Sequence, residues 1–185
     1  VLSGLSFNII FSYYSVYMRG IGASSWLIGL GVAVQTIVEI FLSANTKAIT
    51  DRYPLRKVYL LGFALLPIRA FLYILNSSPI IGLMIQNLHG FFIFSTFIIG
   101  MIVLDRNLEP EWRSTGQSYY YSAFGGFGAT IGALVAPLIF DARGVSTLFA
   151  FAMIVAAAGF GLISRATLKL IPSAKSSSGE LVDQT

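Results

Sequence analysis

Three ionisable side chains sit where an apolar sequence makes them costly. Glu39, Arg69 and His89 each interrupt a stretch otherwise free of charge. A charge near mid-bilayer costs at least about 2.5–3.5 kcal/mol on insertion scales, so one that persists is paired, faces water or carries function. Two arrangements fit these residue types. In one, Glu39 and Arg69 form a buried ion pair while His89 hydrogen-bonds a neighbouring helix. In the other, a water-filled cavity lets Arg69 and His89 bind an anionic or hydroxylated solute, while Glu39 or His89 changes protonation. Both hold at once if a pair is broken and remade in a cycle. Gln35, Glu39 and Ser43 follow i, i+4, i+8 spacing and share one helix face; Gln86 and His89, three apart, share another. Both faces are expected to point inward.

These residues are carried by six apolar stretches, over about 1–18, 26–44, 58–75, 80–104, 115–140 and 146–163. A helix rising about 1.5 Å per residue needs about 20 residues to cross roughly 30 Å of hydrocarbon, and each stretch is near that length. From Ala70 to Leu104 there is no acid, Lys or Arg, so Asn76-Ser77-Ser78-Pro79 is expected to turn the chain and split the run. Counted from their helix ends, Glu39 lies at about 20 Å, Arg69 at about 17 Å and His89 at about 14 Å of rise, all near one depth. The expected fold is an all-α membrane protein of six transmembrane helices over residues 1–171, arranged as two inverted three-helix repeats. Residues 172–185 read as a polar, disordered cytoplasmic tail.

Composition excludes the common alternatives. The chain is 56% hydrophobic and 11% charged, with a mean hydropathy of +0.78, against about 25% charged residues in soluble domains. Although the pI is near 9.5, the bases sit at helix ends rather than on a surface helix, so no nucleic-acid partner is implied. Zero Cys and one His exclude a disulfide framework and a thiolate or poly-His metal site, and no cofactor is expected. Nine Lys or Arg residues fall on one set of alternating connections (Lys47, Arg52, Arg56, Lys57, Arg106, Arg113, Arg165, Lys169, Lys175) against Arg19 and Arg143 on the other. That bias puts both ends in the cytoplasm of an inner or plasma membrane, with lipid as an obligatory partner. Val1 lies directly inside an apolar stretch with no Met or basic n-region before it, so the chain reads as a piece of a longer protein.

The segment Lys47 to Lys57 resembles the cytoplasmic signature of the major facilitator superfamily, Gly-x-x-x-Asp-Arg-x-Gly followed by two bases. Asp51, Arg52, Arg56 and Lys57 are retained, whereas Lys47 and Pro54 replace the glycines. The resemblance covers nearly the whole chain and implies the C-terminal six-helix half of a transporter, with the N-terminal half as partner and Asp51, Arg52 and Arg56 at a cytoplasmic gate. A narrower likeness is to the lactose-permease type of proton symporters and their nucleoside and phenylpropionate relatives. It rests on Leu66-Pro67-Ile68-Arg69, on Gln86-Asn87-Leu88-His89-Gly90, and on Pro110-Glu111-Trp112-Arg113-Ser114-Thr115-Gly116-Gln117. This likeness implies secondary transport of a small polar or anionic solute, coupled to protons, with Gln35, Glu39, Arg69, Gln86, His89 and Gln117 as the solute- and proton-binding set. Where lactose permease carries a carboxylate one turn beyond the histidine, this chain has Phe92, which leaves Glu39 as the mid-membrane carboxylate.

Gly125, Gly126, Gly128 and Gly132 lie within 27 uncharged residues with no strand before them, so they are expected to pack helices rather than to hold a nucleotide. Pro67 frees a backbone carbonyl and is expected to kink the third helix beside Arg69. Tyr13-Tyr14 and Tyr119-Tyr120-Tyr121 suit interface anchoring, with solute stacking open for one or two. A polytopic enzyme, which would require a nucleophile, a metal cluster or paired carboxylates, is disfavoured because Asp51 and Asp105 fall in separate loops and there is no Asp-rich motif. A non-transporting membrane subunit remains the alternative to a carrier.

Overall fold

The structure, a computed structural model, describes residues 1–170, and the tail expected over 172–185 lies outside them. Among the described residues there is no strand. Helix α1 covers Leu2–Gly20. Gly22, at φ 85°, closes it: Ala23 N–H donates to Met18 O at 2.9 Å and Gly22 N–H to Arg19 O at 3.0 Å. That doubly bonded cap needs a left-handed residue, which glycine adopts freely. Two residues on, the Ser24 hydroxyl accepts from Leu27 N–H at 3.3 Å and starts α2, Ser25–Ala44.

A short helix, α3 (Thr46–Arg52), occupies much of the segment expected to be a loop. The Asn45 side chain donates to Phe41 O at 2.7 Å and Thr46 to Ser43 O at 2.6 Å, satisfying the end of α2 so that a new helix can start at once. Tyr53, forced extended by the proline after it (φ −122°, ψ 138°), stops α3. Helix α4 is Leu55–Leu75, with Pro67 inside. Asn76 then makes the expected turn. Its Oδ1 accepts from Ser78 N–H and its Nδ2 donates to Ser78 O, both at 2.9 Å, while Tyr17 of α1 donates to Asn76 O at 3.0 Å.

Helix α5, Pro79–Asn107, begins on proline at its first position. Over Phe94–Ile99 it widens into a π-helix. Neighbours hold this irregularity: Ser95 Oγ donates to Val58 O of α4, and Tyr120 Oη donates to Thr96 O at 2.9 Å. A 3₁₀ turn, Pro110–Trp112, leads into α6 over residues 113–143, which has its own π segment at Ser122–Gly128. Asp141, Ala142 and Arg143, expected as a loop, remain helical; the break falls on Gly144 alone (φ 77°, ψ 178°) before α7 over residues 145–170. That backbone region is essentially closed to side chains other than glycine's.

Four runs are long and apolar enough to cross a membrane: Ser25–Ala44, Leu55–Leu75, Pro79–Asn107 and Pro110–Thr167. The last, at 58 residues, would extend for about 87 Å if straight, but it folds back at Gly144. Helix α1 is not among these four runs, yet Ile9, Ile10 and Met18 on it are fully buried. It lies against α6 and α7. A Cβ on Gly128 would stand 2.6 Å from Val1 O, and one on Gly132 would stand 2.8 Å from Leu5 O. The packing expected of the glycine-rich helix therefore falls to these two, since Gly125 and Gly126 face open space. At Gly90, α5 approaches the backbone of α2 at Gln35 and Glu39 in the same close manner. Tyr17, Tyr73 and Phe149 join α1, α4 and α7 through ring contacts of 4.9–5.6 Å.

Candidate functional site

Helices α2, α4 and α5 bring four of the expected site residues into one hydrogen-bonded chain. Arg69 Nη1 lies 2.7 Å from His89 Nδ1. Its Nη2 donates to Gln86 Oε1 at 2.8 Å, and Gln86 Nε2 donates to Gln35 Oε1 at 2.5 Å. Their placement follows from local spacing. Gln86 and His89 are one turn apart on α5 and turn together toward α4. The close approach at Gly90 brings Gln35 of α2 within reach. On α4, Pro67 has no N–H to give to Phe63 O, so the helix that carries Arg69 lacks one internal bond just before it.

All four side chains are buried, Arg69 to 1% exposure and Gln86 to 0%. Tyr73, one turn beyond Arg69, completes the group: its hydroxyl donates to Gln86 Oε1 at 2.5 Å, and the Arg69 guanidinium lies 5.4 Å from its ring centre. Phe7 and Phe11 of α1 stack on the His89 imidazole at 5.1 and 5.3 Å. Tyr14 stands over Gly31, its ring 6.1 Å from that of Tyr73. Among the described residues, Arg69 Nε and the Tyr14 hydroxyl have no hydrogen-bond partner.

Donor arithmetic assigns the protons. Guanidinium only donates, so His89 Nδ1 accepts and the ring proton sits on Nε2; a proton on Nδ1 and the Arg69 bond exclude each other. Gln86 Oε1 accepts twice, which orients its amide toward Gln35 without ambiguity. The result is a buried cation whose hydrogen bonds go to neutral partners only.

Of the two arrangements open from the sequence, the Glu39–Arg69 ion pair is not formed. Arg69 is held by His89 and Gln86, while Glu39, one turn along α2 from Gln35, is half-buried. Where α2 and α5 approach at Gly90, the residue of α2 that bonds Gln86 is Gln35 and not Glu39. Gln117 also stands apart: it donates to Asp105 Oδ1 at 2.9 Å and ties the start of α6 to the end of α5. Asp51 and Arg52 are exposed at the end of α3, Arg52 lying 5.8 Å from the Tyr53 ring centre, and Arg56 is half-buried on α4. None of the three joins the Arg69 cluster. Phe92, at the position where a carboxylate was looked for, packs in the core against Phe7, Phe63 and Phe124. No group of three or more His, Cys, Asp or Glu able to hold a metal ion occurs among the described residues.

Sequence reasoning missed Phe7, Phe11 and Tyr73, which carry no charge to mark them. Tyr73 had one usable signal, its i+4 spacing from Arg69. A family model, the MFS_1 like family, matches residues 1–151. No curated protein and no solved structure matches the chain.

Proposed function

The chain belongs to the MFS_1 like family, within the major facilitator superfamily, and from that membership we propose that it is the C-terminal six-helix half of a secondary active transporter. Membership points to a transporter of a small-molecule solute rather than to an enzyme, and the apolar helices make it an integral membrane protein. In this reading α1, α2, α4, α5, α6 and α7 each cross the membrane with both ends cytoplasmic. They form two inverted repeats, 1–2–4 and 5–6–7. The pairing of helices supports the repeat: α2 approaches α5 closely at Gly90 just as α6 approaches α1 at Gly128 and Gly132, and α4 meets α7 at Tyr73 and Phe149. Such halves bind solute between them and rock to give alternating access.

The observation that carries the solute class is Arg69, a buried cation with neutral partners and an unused Nε. An uncompensated charge in a low-dielectric interior attracts an anion strongly, and a guanidinium fork suits a carboxylate or a pair of hydroxyls. The solute is therefore a small polar or anionic molecule of the sugar, nucleoside or aromatic-acid type, bound at Arg69, His89, Gln86 and Gln35, with Phe7 and Phe11 as stacking surfaces. Coupling to protons falls to Glu39 or to His89, whose bond to Arg69 holds only while Nδ1 is unprotonated. Asp51, Arg52 and Arg56 act at the cytoplasmic gate, and Gln117 holds the gate end of α6 through Asp105.

The test uses the transporter containing this chain, reconstituted in vesicles. Arg69→Lys keeps the charge but loses the fork, so solute binding weakens. If Glu39 is the titrating group, Glu39→Gln leaves exchange down a gradient intact while proton-driven accumulation is lost. Normal accumulation by both variants, with only lowered thermal stability, would show a packing network in place of a solute site.

A further inference from the structure

Beyond the π segment of α5, a cavity of about 290 Å³ opens between α4, α5, α6 and α7. It shares no residue with the Arg69 cluster. Its wall is chiefly hydrocarbon, from Val103, Leu104 and Leu108 on one side and Ile163 and Ala166 of α7 on the other. Among the described residues, no Asp, Glu, Lys, Arg or His lines it. Of the polar side chains at its edge, Tyr120 donates its hydroxyl proton to Thr96 O at 2.9 Å and Thr167 donates to Ile163 O at 2.5 Å, while Asn107, exposed at the rim, gives one N–H to Val103 O at 2.7 Å. The Tyr59 hydroxyl is a polar handle on the inner wall.

Gly100 shapes this space. A Cβ there would stand 3.0 Å from Tyr120 Oη and 3.3 Å from Tyr59 Cε2, so its absence lets both rings lie against α5 and form the end wall. An apolar cavity of about 150 Å³ stays dry and takes up benzene. This one is about twice that size and, at about 30 Å³ per water-sized heavy atom, accommodates roughly ten. A charged group would lose its hydration and find no partner here.

We propose that this cavity is a binding site for an uncharged, mainly hydrocarbon group of roughly ten heavy atoms, with at most one polar atom, which meets Tyr59. Such a group comes from the end of a lipid acyl chain or from a free hydrophobic molecule. The site is independent of solute transport, so its failure and the failure of the transport reading are distinguishable.

The experiment places the transporter containing this chain in phosphatidylcholine nanodiscs with either of two photoreactive probes, decanol bearing a terminal diazirine or phosphatidylcholine with a diazirine in its acyl chain. Adducts are located by peptide mass spectrometry. Residues 103–108 and 163–167 are expected to be labelled several-fold more heavily than Ile37 and Ile154, which are 64% and 65% exposed on the outside of the bundle. Ala166→Phe fills the cavity and is expected to abolish the excess while sparing Ile37 and Ile154; should it fail to fold, Val103→Phe fills the space from the opposite wall. The probe that yields the excess identifies the source of the group. Labelling no heavier than at Ile37 and Ile154 with both probes, or an excess that survives the filling variants, would overturn the proposal.

Discussion

Replacing Gln86 with leucine removes the hub of the buried network while keeping its approximate volume. The substitution leaves Arg69 Nη2, the Tyr73 hydroxyl and Gln35 Oε1 without their partner, three bonds in all. Interhelical side-chain bonds in membrane proteins average about 0.6 kcal/mol and reach about 1.7. The cost is therefore about 2 kcal/mol at the average and about 5 at the upper end. The upper end is the better expectation, because one orphaned group is a charge and all lie in the interior, where an unsatisfied donor costs about 1–3 kcal/mol or more. Unfolding of the reconstituted or micellar protein by denaturant titration reads the difference directly. Asn87→Leu, next along α5, is the control: its side chain bonds only to Met84 O of its own turn at 3.1 Å, so its loss is expected to cost less than about 0.5 kcal/mol. A cost below about 1 kcal/mol for Gln86→Leu would refute the reasoning, since water or a rotated Arg69 would then be replacing the amide freely.

Gln86→Glu places a carboxylate between Arg69 and Tyr73 and requires the Gln35 amide to turn its N–H toward the new oxygen in place of the Gln86 Nε2 bond; binding of an anionic solute is then expected to fall, and unchanged or tighter anion binding would remove the uncompensated charge as the attractant. Gly132→Ala is expected to destabilise the bundle because its Cβ meets Leu5 O at 2.8 Å, whereas Gly126→Ala, facing open space, gains up to about 1 kcal/mol of helix propensity; equal denaturation midpoints for the two would contradict the α1–α6 contact. With no native cysteine to interfere, a single cysteine at Ser77 is expected to react with an impermeant maleimide from outside intact cells, and one at Ala48 only after permeabilisation. Labelling of both from one side would reverse the proposed topology.

Much of the helical framework was legible from chemistry that acts locally. Apolar length set five helices to within three residues but stopped the last at 163, where α7 runs on to Leu170; the Asn76–Pro79 turn was readable because a charge-free run that long exceeds a bilayer. The cost of polarity in such a context also marked Gln35, Arg69, Gln86 and His89, which the structure draws together. Partner choice was not legible. Gln35 and Glu39 share one face of α2, and only the packing of α2 against α5 decides that the neutral residue, not the carboxylate, joins the Arg69 network through Gln86. The same limit hid Phe7, Phe11 and Tyr73, whose positions depend on how α1 and α4 cross their neighbours. It also hid the π segment of α5, whose widened turn is held by Ser95 and Tyr120 bonds between helices, and the cavity beside Gly100, which belongs to no single helix. Helix formation in an apolar medium is dictated by the chain's own backbone bonds and side-chain polarity, and so it is written along the sequence. Which side chains meet is dictated by where small residues let backbones approach, and that exists only once the helices have packed.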